Sequence, residues 1–414
     1  VVSVDAVPVR RTYRYRFHPT DVQAAELERT FGCVRKVYNL ALEVRTRAWL
    51  QRQERVSYND TSAMLSQWKK AEELAFLSEV SSVPLQQALR HLQAAFSNFF
   101  GGRAEYPRFK SKKRSRKAAE YTRSGFTFRG GKLTLAKMAD PLSVVWSRPL
   151  PEGVVPSTVT VSRDGAGRWF VSMLCEDAGV RPLPVTDAAV GIDAGLSSLV
   201  TLSTGEKVAN PRQEHRDRAR LAKAQRELCR KAPGRGANRE KARRKVARIY
   251  ARIADRRRDY LHKLTTRLVR ENQTIVIEDL VVSNMMGGRL ARAISDAAWA
   301  HMRFMLQYKA AWYGRELVVV DRWFPSSRLC SACGSIRAHL PLNVREWTCG
   351  CGQVHDRDVN AARNILAAGL AVTVCGGSVR PHRSTPERPR SVKQKVQPAR
   401  EGIRPVRAEE VKSK

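Results

Sequence analysis

Residues 189–209 read AVGIDAGLSSLVTLSTGEKVA. Val190-Gly191-Ile192 is a short apolar run that ends on Asp193, the pattern of a buried strand closing on an acid. Leu199 to Leu202 makes a second strand, and Lys207-Val208, after a turn at Thr204-Gly205, a third. Ile275-Val276-Ile277 ends in the same way on Glu278. A helix through Trp299, Met302, Leu306 and Trp312 leads to a fifth strand, Leu317 to Val320, and a last helix starts near Asp358.

Three consecutive strands, a helical excursion, then strand, helix, strand and helix is the order of an RNase H-like α/β fold, by topological analogy. The excursion, Arg212 to Arg270, holds 22 Lys/Arg against 6 Asp/Glu. Its second half keeps an apolar stripe at Val246, Ile249, Ile253, Leu261, Leu264 and Leu268. An amphipathic helix or hairpin with a basic face is expected, and Arg243, Arg244 and Lys245 are candidate phosphate contacts.

Before residue 189 the grammar differs. Tyr13, Tyr15 and Phe17 alternate with Arg14 and Arg16, a strand signal. Two helical stripes follow, Leu27 to Ala48 and, after Pro84, Leu85 to Phe99, the second stopped by Gly101-Gly102. Phe126 to Leu135 across Gly130-Gly131, and Val159 to Met173 across Asp164-Gly165, read as hairpins. The reading is a small N-terminal β domain over 1–185 with a helical insertion at about 21–102. The α/β domain follows over 186–324 and 353–374, with its basic insertion at about 211–271. A cysteine segment at 325–352 interrupts it, and 375–414 is expected to be a disordered basic tail.

Charge narrows the partners. The chain has 75 Lys+Arg against 39 Asp+Glu, a formal net charge of +36, and the surplus recurs in separate segments. Nucleic acid is the expected polyanion, because cations gain affinity by releasing counterions from phosphates. The bland alternatives are a merely soluble basic protein or attraction to anionic membranes. In Tyr106-Pro107-Arg108-Phe109-Lys110 through Lys117, aromatics interleave with cations. Tyr106, Arg108, Lys110, Lys112 and Lys113 are therefore candidate nucleic-acid contacts, against the plainer reading of a solvated loop with two anchoring rings. No apolar run is long enough to span a bilayer and no secretion signal opens the chain, so a cytoplasmic, nucleoid-associated bacterial or archaeal protein is expected.

The acids supply candidate chemistry. Asp193 and Glu278 each close an apolar strand, and Asp358 stands at the start of a helix. Hydrolysis of a phosphodiester by in-line attack uses two cations, and Mg²⁺ (or Mn²⁺) takes hard carboxylate oxygens. Taken singly, each acid also reads as a turn former or a helix cap. Asp279 should point away from Glu278's face if the strand continues.

Cys330 and Cys333 form a CxxC knuckle, and Cys349 and Cys351 a tighter CxC, fifteen residues later. Four thiolates can close a structural Zn²⁺ site in a reducing compartment, with His355 able to replace one cysteine.

Together these residues resemble the TnpB (OrfB) family of transposon-encoded RNA-guided nucleases. The similar pieces are GIDAGL at 191–196, IVIEDL at 275–280, FPSSRLCSACG at 324–334 and REWTCGCGQVHDRDVNAARNI at 345–365, with YPRFKSKK at 106–113. The resemblance implies a RuvC-like nuclease domain with an inserted zinc ribbon, whose three acidic ligands match Asp193, Glu278 and Asp358, Asp356 being the alternative to the last. It further implies a guide RNA from the transposon end, a double-stranded DNA target, and a monomer working with its RNA. The N-terminal part would hold RNA and read a short duplex motif beside the target, while pairing supplies sequence. The CxC pair departs from the commonest family pattern. Rival readings are an RNA-guided repressor that does not cut, a zinc-ribbon RNA-binding protein, and an element-encoded transposase that joins strands.

Overall fold

The computed structural model describes residues 9–177, 179–232, 236–341 and 343–374. The expected basic tail over 375–414 lies outside the described residues. Strand β1 (Val9–Phe17) is followed by helices α1 (Asp21–Arg52), α2 (Tyr58–Trp68) and α3 (Ser82–Phe100). Strands β2 (Lys117–Thr122), β3 (Phe126–Arg129), β4 (Lys132–Leu135), β5 (Val144–Val145), β6 (Thr158–Arg163) and β7 (Trp169–Asp177) come next.

The alternation in β1 emerges as read: Tyr13, Tyr15 and Phe17 are buried while Arg14 and Arg16 are exposed. β1 pairs antiparallel with β7 along its whole length, in a sheet of order β2-β6-β7-β1-β5. Helix α1 begins at a capping box, where the Thr20 hydroxyl accepts the Gln23 N–H and the Gln23 side chain accepts the Thr20 N–H, both at 3.2 Å. Its stripe (Leu27, Phe31, Val34) and that of α3 (Leu85, Leu89, Leu92) share one core with Tyr13, Val161 and Met173. Helix α2 was not among the expected elements. Its signal is a second capping box, Ser57 with Asp60, which apolar periodicity does not reveal. Hairpin β3–β4 turns on Gly130 and Gly131, both at positive φ, as a tight two-residue turn of this hand requires.

The second half holds β8 (Ala189–Ala194), β9 (Ser198–Leu202), β10 (Lys207–Ala209), α4 (Gln213–Cys229), α5 (Ala237–Glu271) and β11 (Thr274–Glu278). After them come α6 (Ala291–Ala297), α7 (Trp299–Tyr313), β12 (Glu316–Val320), β13 (Glu346–Thr348), β14 (Val354–Asp356) and α8 (Arg357–Val374). The sheet order is β10-β9-β8-β11-β12; β8 to β10 run antiparallel, and β8, β11 and β12 parallel. The basic excursion is the hairpin α4–α5. Its apolar stripe divides between two cores: Ile249 and Ile253 pack on Leu221 and Ala224 of α4, whereas Leu261, Leu264 and Leu268 join the sheet.

Alternation decides what each sheet face meets. Val190, Ile192, Ile275 and Ile277 face α5 and α7, packing with Leu264, Met302 and Leu306. Val276 and Val320 face the other way, onto Ile365 of α8. Helix α8 lies so close that side chains must be missing at two crossings. A Cβ on Gly191 would stand 2.2 Å from the Ala362 carbonyl and 2.7 Å from the Leu366 nitrogen, and one on Gly369 would stand 2.4 Å from a Val276 methyl. Backbone atoms cannot give way as a flexible side chain can, so only glycine fits at 191. Gly191→Ala should therefore push α8 off the sheet. Thermal melting should show a loss of at least about 1–3 kcal/mol, the usual cost of overpacking; an unchanged melting temperature would contradict this packing.

Candidate active site

The pairing register brings two of the expected acids together. Ile192 of β8 lies opposite Ile277 of β11 in a parallel ladder, so the next residues, Asp193 and Glu278, follow side by side, on strands about 4.8 Å apart. Both share the face of Gly191 and Val276, the one covered by α8. Asp358 occupies the first turn of α8, one turn ahead of the Ala362 carbonyl that abuts Gly191.

Electrostatics reports the same proximity. The Asp193 carboxyl is pushed up to about 7, first by burial and then by the negative charges of Glu278 and Asp358, with Arg357 opposing. Burial also raises Glu278, against the Ser326 hydroxyl, which donates to its Oε1 at 2.5 Å. Arg345 stands 3.6 Å from Asp358.

The neighbouring acids are committed elsewhere. Asp356 caps α8, its Oδ1 accepting the N–H groups of Asp358 and Val359 at 3.1 and 3.0 Å, while Oδ2 pairs with Lys207 at 2.5 Å. It therefore caps the helix, whereas Asp358, 3.6 Å from Arg345, is the acid of the two whose charge weighs more on Asp193. Asp279 is ion-paired with Arg303 of α7 and with Arg322, on the side expected from strand alternation.

The proton on Asp193 has a measurable consequence. An ordinary Asp titrates near about 3.9. Between that value and about 7 the folded, metal-free protein thus holds a proton that the unfolded chain has lost, and its stability should fall as pH rises through this window. A divalent ion held by these acids would have to displace that proton. Its apparent affinity should climb with pH up to about 7 and level above, with proton release visible by calorimetry in two buffers of different ionisation enthalpy. Affinity independent of pH would contradict the cluster.

The sulfurs of Cys330, Cys333, Cys349 and Cys351 all lie within 4.8 Å of one another. Cys330–Cys351 is 3.9 Å and Cys333–Cys349 is 3.6 Å. His355 is buried, 3.0 Å through Nε2 from the Cys330 sulfur, with its ring against Trp347. Two residues that sequence reading passed over bind this segment to the acids. Asn360 and Asn364, one turn apart on α8, both donate at 2.7 Å to the Leu329 carbonyl. Asn364 also reaches the Ser326 carbonyl at 2.8 Å, and Asn360 accepts the Ser331 N–H at 3.0 Å. Their i, i+4 spacing within DVNAARN was the available signal.

A chain of Streptomyces pristinaespiralis named "Putative RNA-guided DNA endonuclease" is 71% identical over 95% of this chain and 98% of its own length. The chain belongs to the TnpB (OrfB) family. InsQ of Escherichia coli K12, likewise named as an RNA-guided DNA endonuclease, is 34% identical over 92% of this chain and 97% of its own. Family models match residues 162–289 ("Probable transposase", the OrfB type), 299–365 ("Cas12f1-like, TNB domain") and 9–54 ("Helix-turn-helix domain"). Within 9–54 the structure has one strand and a single 32-residue helix rather than two helices joined by a turn. A Cas12f1–sgRNA–target DNA complex shares the mixed α/β fold, with a TM-score of 0.54 at 14% identity over 83% of this chain and 82% of that one.

The basic candidates of this TnpB-family chain divide in two. Tyr106 is an anchor: its hydroxyl meets Thr46 at 2.8 Å and its ring packs edge-on against Phe96 and Phe99. Lys110 is another, its ammonium 3.7 Å above the Tyr38 ring and its backbone clasped by Asn39. Arg108, Lys112 and Lys113 are exposed, as are Arg243, Arg244 and Lys245. Arg108 pairs with Glu105, Arg243 and Arg244 with Glu240, and Lys245 with Glu227. The structure adds a cleft of about 600 Å³ where the β1 and β6–β7 ends face α5, lined by Arg16, His18, Trp169, Arg248 and Arg252. Its sequence signal was the Arg248, Arg252, Arg256 repeat at four-residue spacing, which puts three guanidiniums on one helical stripe. Among the described residues no helix is long and apolar enough to cross a membrane.

Proposed function

We propose that this TnpB-family chain is an RNA-guided, divalent-metal-dependent DNA endonuclease of a transposable element, with Asp193, Glu278 and Asp358 as its metal-holding acids. What supports this most is the strand register that sets Asp193 beside Glu278 under the helix that starts at Asp358, with the Asp193 carboxyl raised by burial and then by the charges of Glu278 and Asp358. Hard oxygen donors repelling one another in a half-dry site suit Mg²⁺ or Mn²⁺. When bound, the ions supply a water of lowered pKa and neutralise charge on the scissile phosphate. The chain's own part is to orient: Ser326 holds Glu278, and Arg345 stands by Asp358.

The strand order and the cover of α8 favour an RNase H-like, RuvC-like domain over 186–324 and 353–374. Residues 1–185 would then hold RNA and read the flanking motif, with phosphates in the cleft of Arg16, Arg248 and Arg252. Residues 325–352 fit a zinc ribbon. Sulfur separations of 3.6 and 3.9 Å suit the roughly 3.8 Å edge of a tetrahedron with Zn–S near about 2.3 Å. In this reading four cysteines hold zinc and His355 donates its N–H to Cys330. The enzyme works as a monomer with its RNA, in the cytoplasm on nucleoid DNA.

A repressor that only binds would leave the acid cluster without work. The test is to purify the protein with its RNA, sequence that RNA, and follow labelled target DNA for cutting, joining and retention. A discrete RNA and hydrolysed ends are the expected result. Joined strands would indicate a transposase, retention alone a repressor, and absence of a discrete RNA would remove the guided part.

A further inference from the structure

The turn after β12 carries a side chain that neither the fold nor the metal-holding acids use. Trp323 is 84% exposed, whereas its neighbour Phe324 packs inward beside Val276, Val320 and Ile365. An indole left in water keeps its full ring area available for stacking. The turn is ordered: the Trp323 N–H donates to the Asp321 carboxylate at 2.8 Å, and the Phe324 N–H to the Asp321 carbonyl at 3.1 Å.

Both ends of this turn are tied to Glu278. Three residues before Trp323, Val320 lies opposite Glu278 in the β11–β12 ladder. Three residues after it, Ser326 donates to the Glu278 carboxylate. Three residues of chain reach at most about 10 Å, so the indole is leashed within a few nucleotides' length of the acid cluster. Arg322, next in sequence, is ion-paired with Asp279, which also holds Arg303. An exposed aromatic ring on an ordered turn whose two ends reach Glu278 can serve as a stacking platform for an unpaired base.

We propose that Trp323 is a positioning residue that stacks on an unpaired base of the DNA strand entering the nuclease site and sets which phosphate reaches the acids. The proposal rests on the nuclease reading above, and its test has an arm independent of cutting. With Mg²⁺ omitted and no chelator added, so that the cysteine site keeps its zinc, RNA-loaded wild type and Trp323→Phe are titrated with a single-stranded DNA oligonucleotide, and their difference in tryptophan fluorescence is followed. Quenching confined to the wild type is expected, and a single abasic site walked along the oligonucleotide should abolish it at one or two adjacent positions. In Mg²⁺, Trp323→Ala should raise KM for the DNA strand about ten- to a hundred-fold and scatter the cut position. kcat should stay near wild type, RNA retention should be unchanged, and Trp323→Phe should restore most of the loss.

Wild-type KM and cut position in Trp323→Ala would overturn the proposal. So would retention of DNA without quenching, or equal quenching by oligonucleotides abasic at every position near the cut. Stronger quenching by RNA of the same sequence would reassign the ring to the guide. Should the wild type quench but not cut, the platform stands and the nuclease reading fails.

Discussion

Asp193→Ala should abolish DNA cutting, by about a thousand-fold or more, while leaving RNA binding and guided retention of DNA in place. A thousand-fold is about 4 kcal/mol of transition-state stabilisation, a fair expectation for removing the central ligand from a metal pair. The same substitution removes a buried group that repels Glu278 and Asp358. The metal-free protein should therefore melt no lower than wild type near neutral pH, which separates loss of chemistry from loss of fold. Cleavage assays run beside melting curves check both, and a variant that still cuts at a wild-type rate would refute the site.

Losing the cysteine site should be almost as damaging, by another route. Structural zinc contributes on the order of 10 kcal/mol to small zinc-dependent folds, so Cys330→Ser together with Cys349→Ser should release zinc and unfold the segment from 330 to about 351. The consequence reaches Glu278 because Leu329 and Ser326 are held by Asn360 and Asn364 on α8. With that loop loose, Ser326 no longer fixes the Glu278 carboxylate. Cutting should fall by two orders of magnitude or more even with Mg²⁺ in excess. Ser326→Ala should keep its zinc and lose about ten- to a hundred-fold, the usual effect of a lost supporting contact. Metal analysis, melting and cleavage on the three proteins would decide it; zinc-free protein that cuts normally would break the link.

Much of this was legible because it depends on period and punctuation. The strands ending at Asp193 and Glu278, the cationic hairpin with its divided apolar stripe, and the two cysteine pairs all announce themselves locally. What the sequence does not display is which acids meet. Asp356 and Asp358 are equally acidic in print; only the start of α8 turns the first into a cap, and the charge of the second weighs more on Asp193. Gly191 reads as a turn-former or nothing at all until a helix is laid 2.2 Å from where its Cβ would be. Tyr106 and Lys110 were legible only as residue types: the sequence does not display that Tyr106, still 41% exposed, packs on Phe96 and Phe99, or that Lys110 stands over the Tyr38 ring.

The late position of α8 carries a consequence for synthesis. Two of the acids emerge from the ribosome on β8 and β11, but the third arrives 80 residues after Glu278, at residue 358, together with the asparagines that seat the loop against Glu278. A nascent or prematurely terminated product lacking α8 would be unable to assemble the proposed site, so in this reading cutting waits until that helix has been translated.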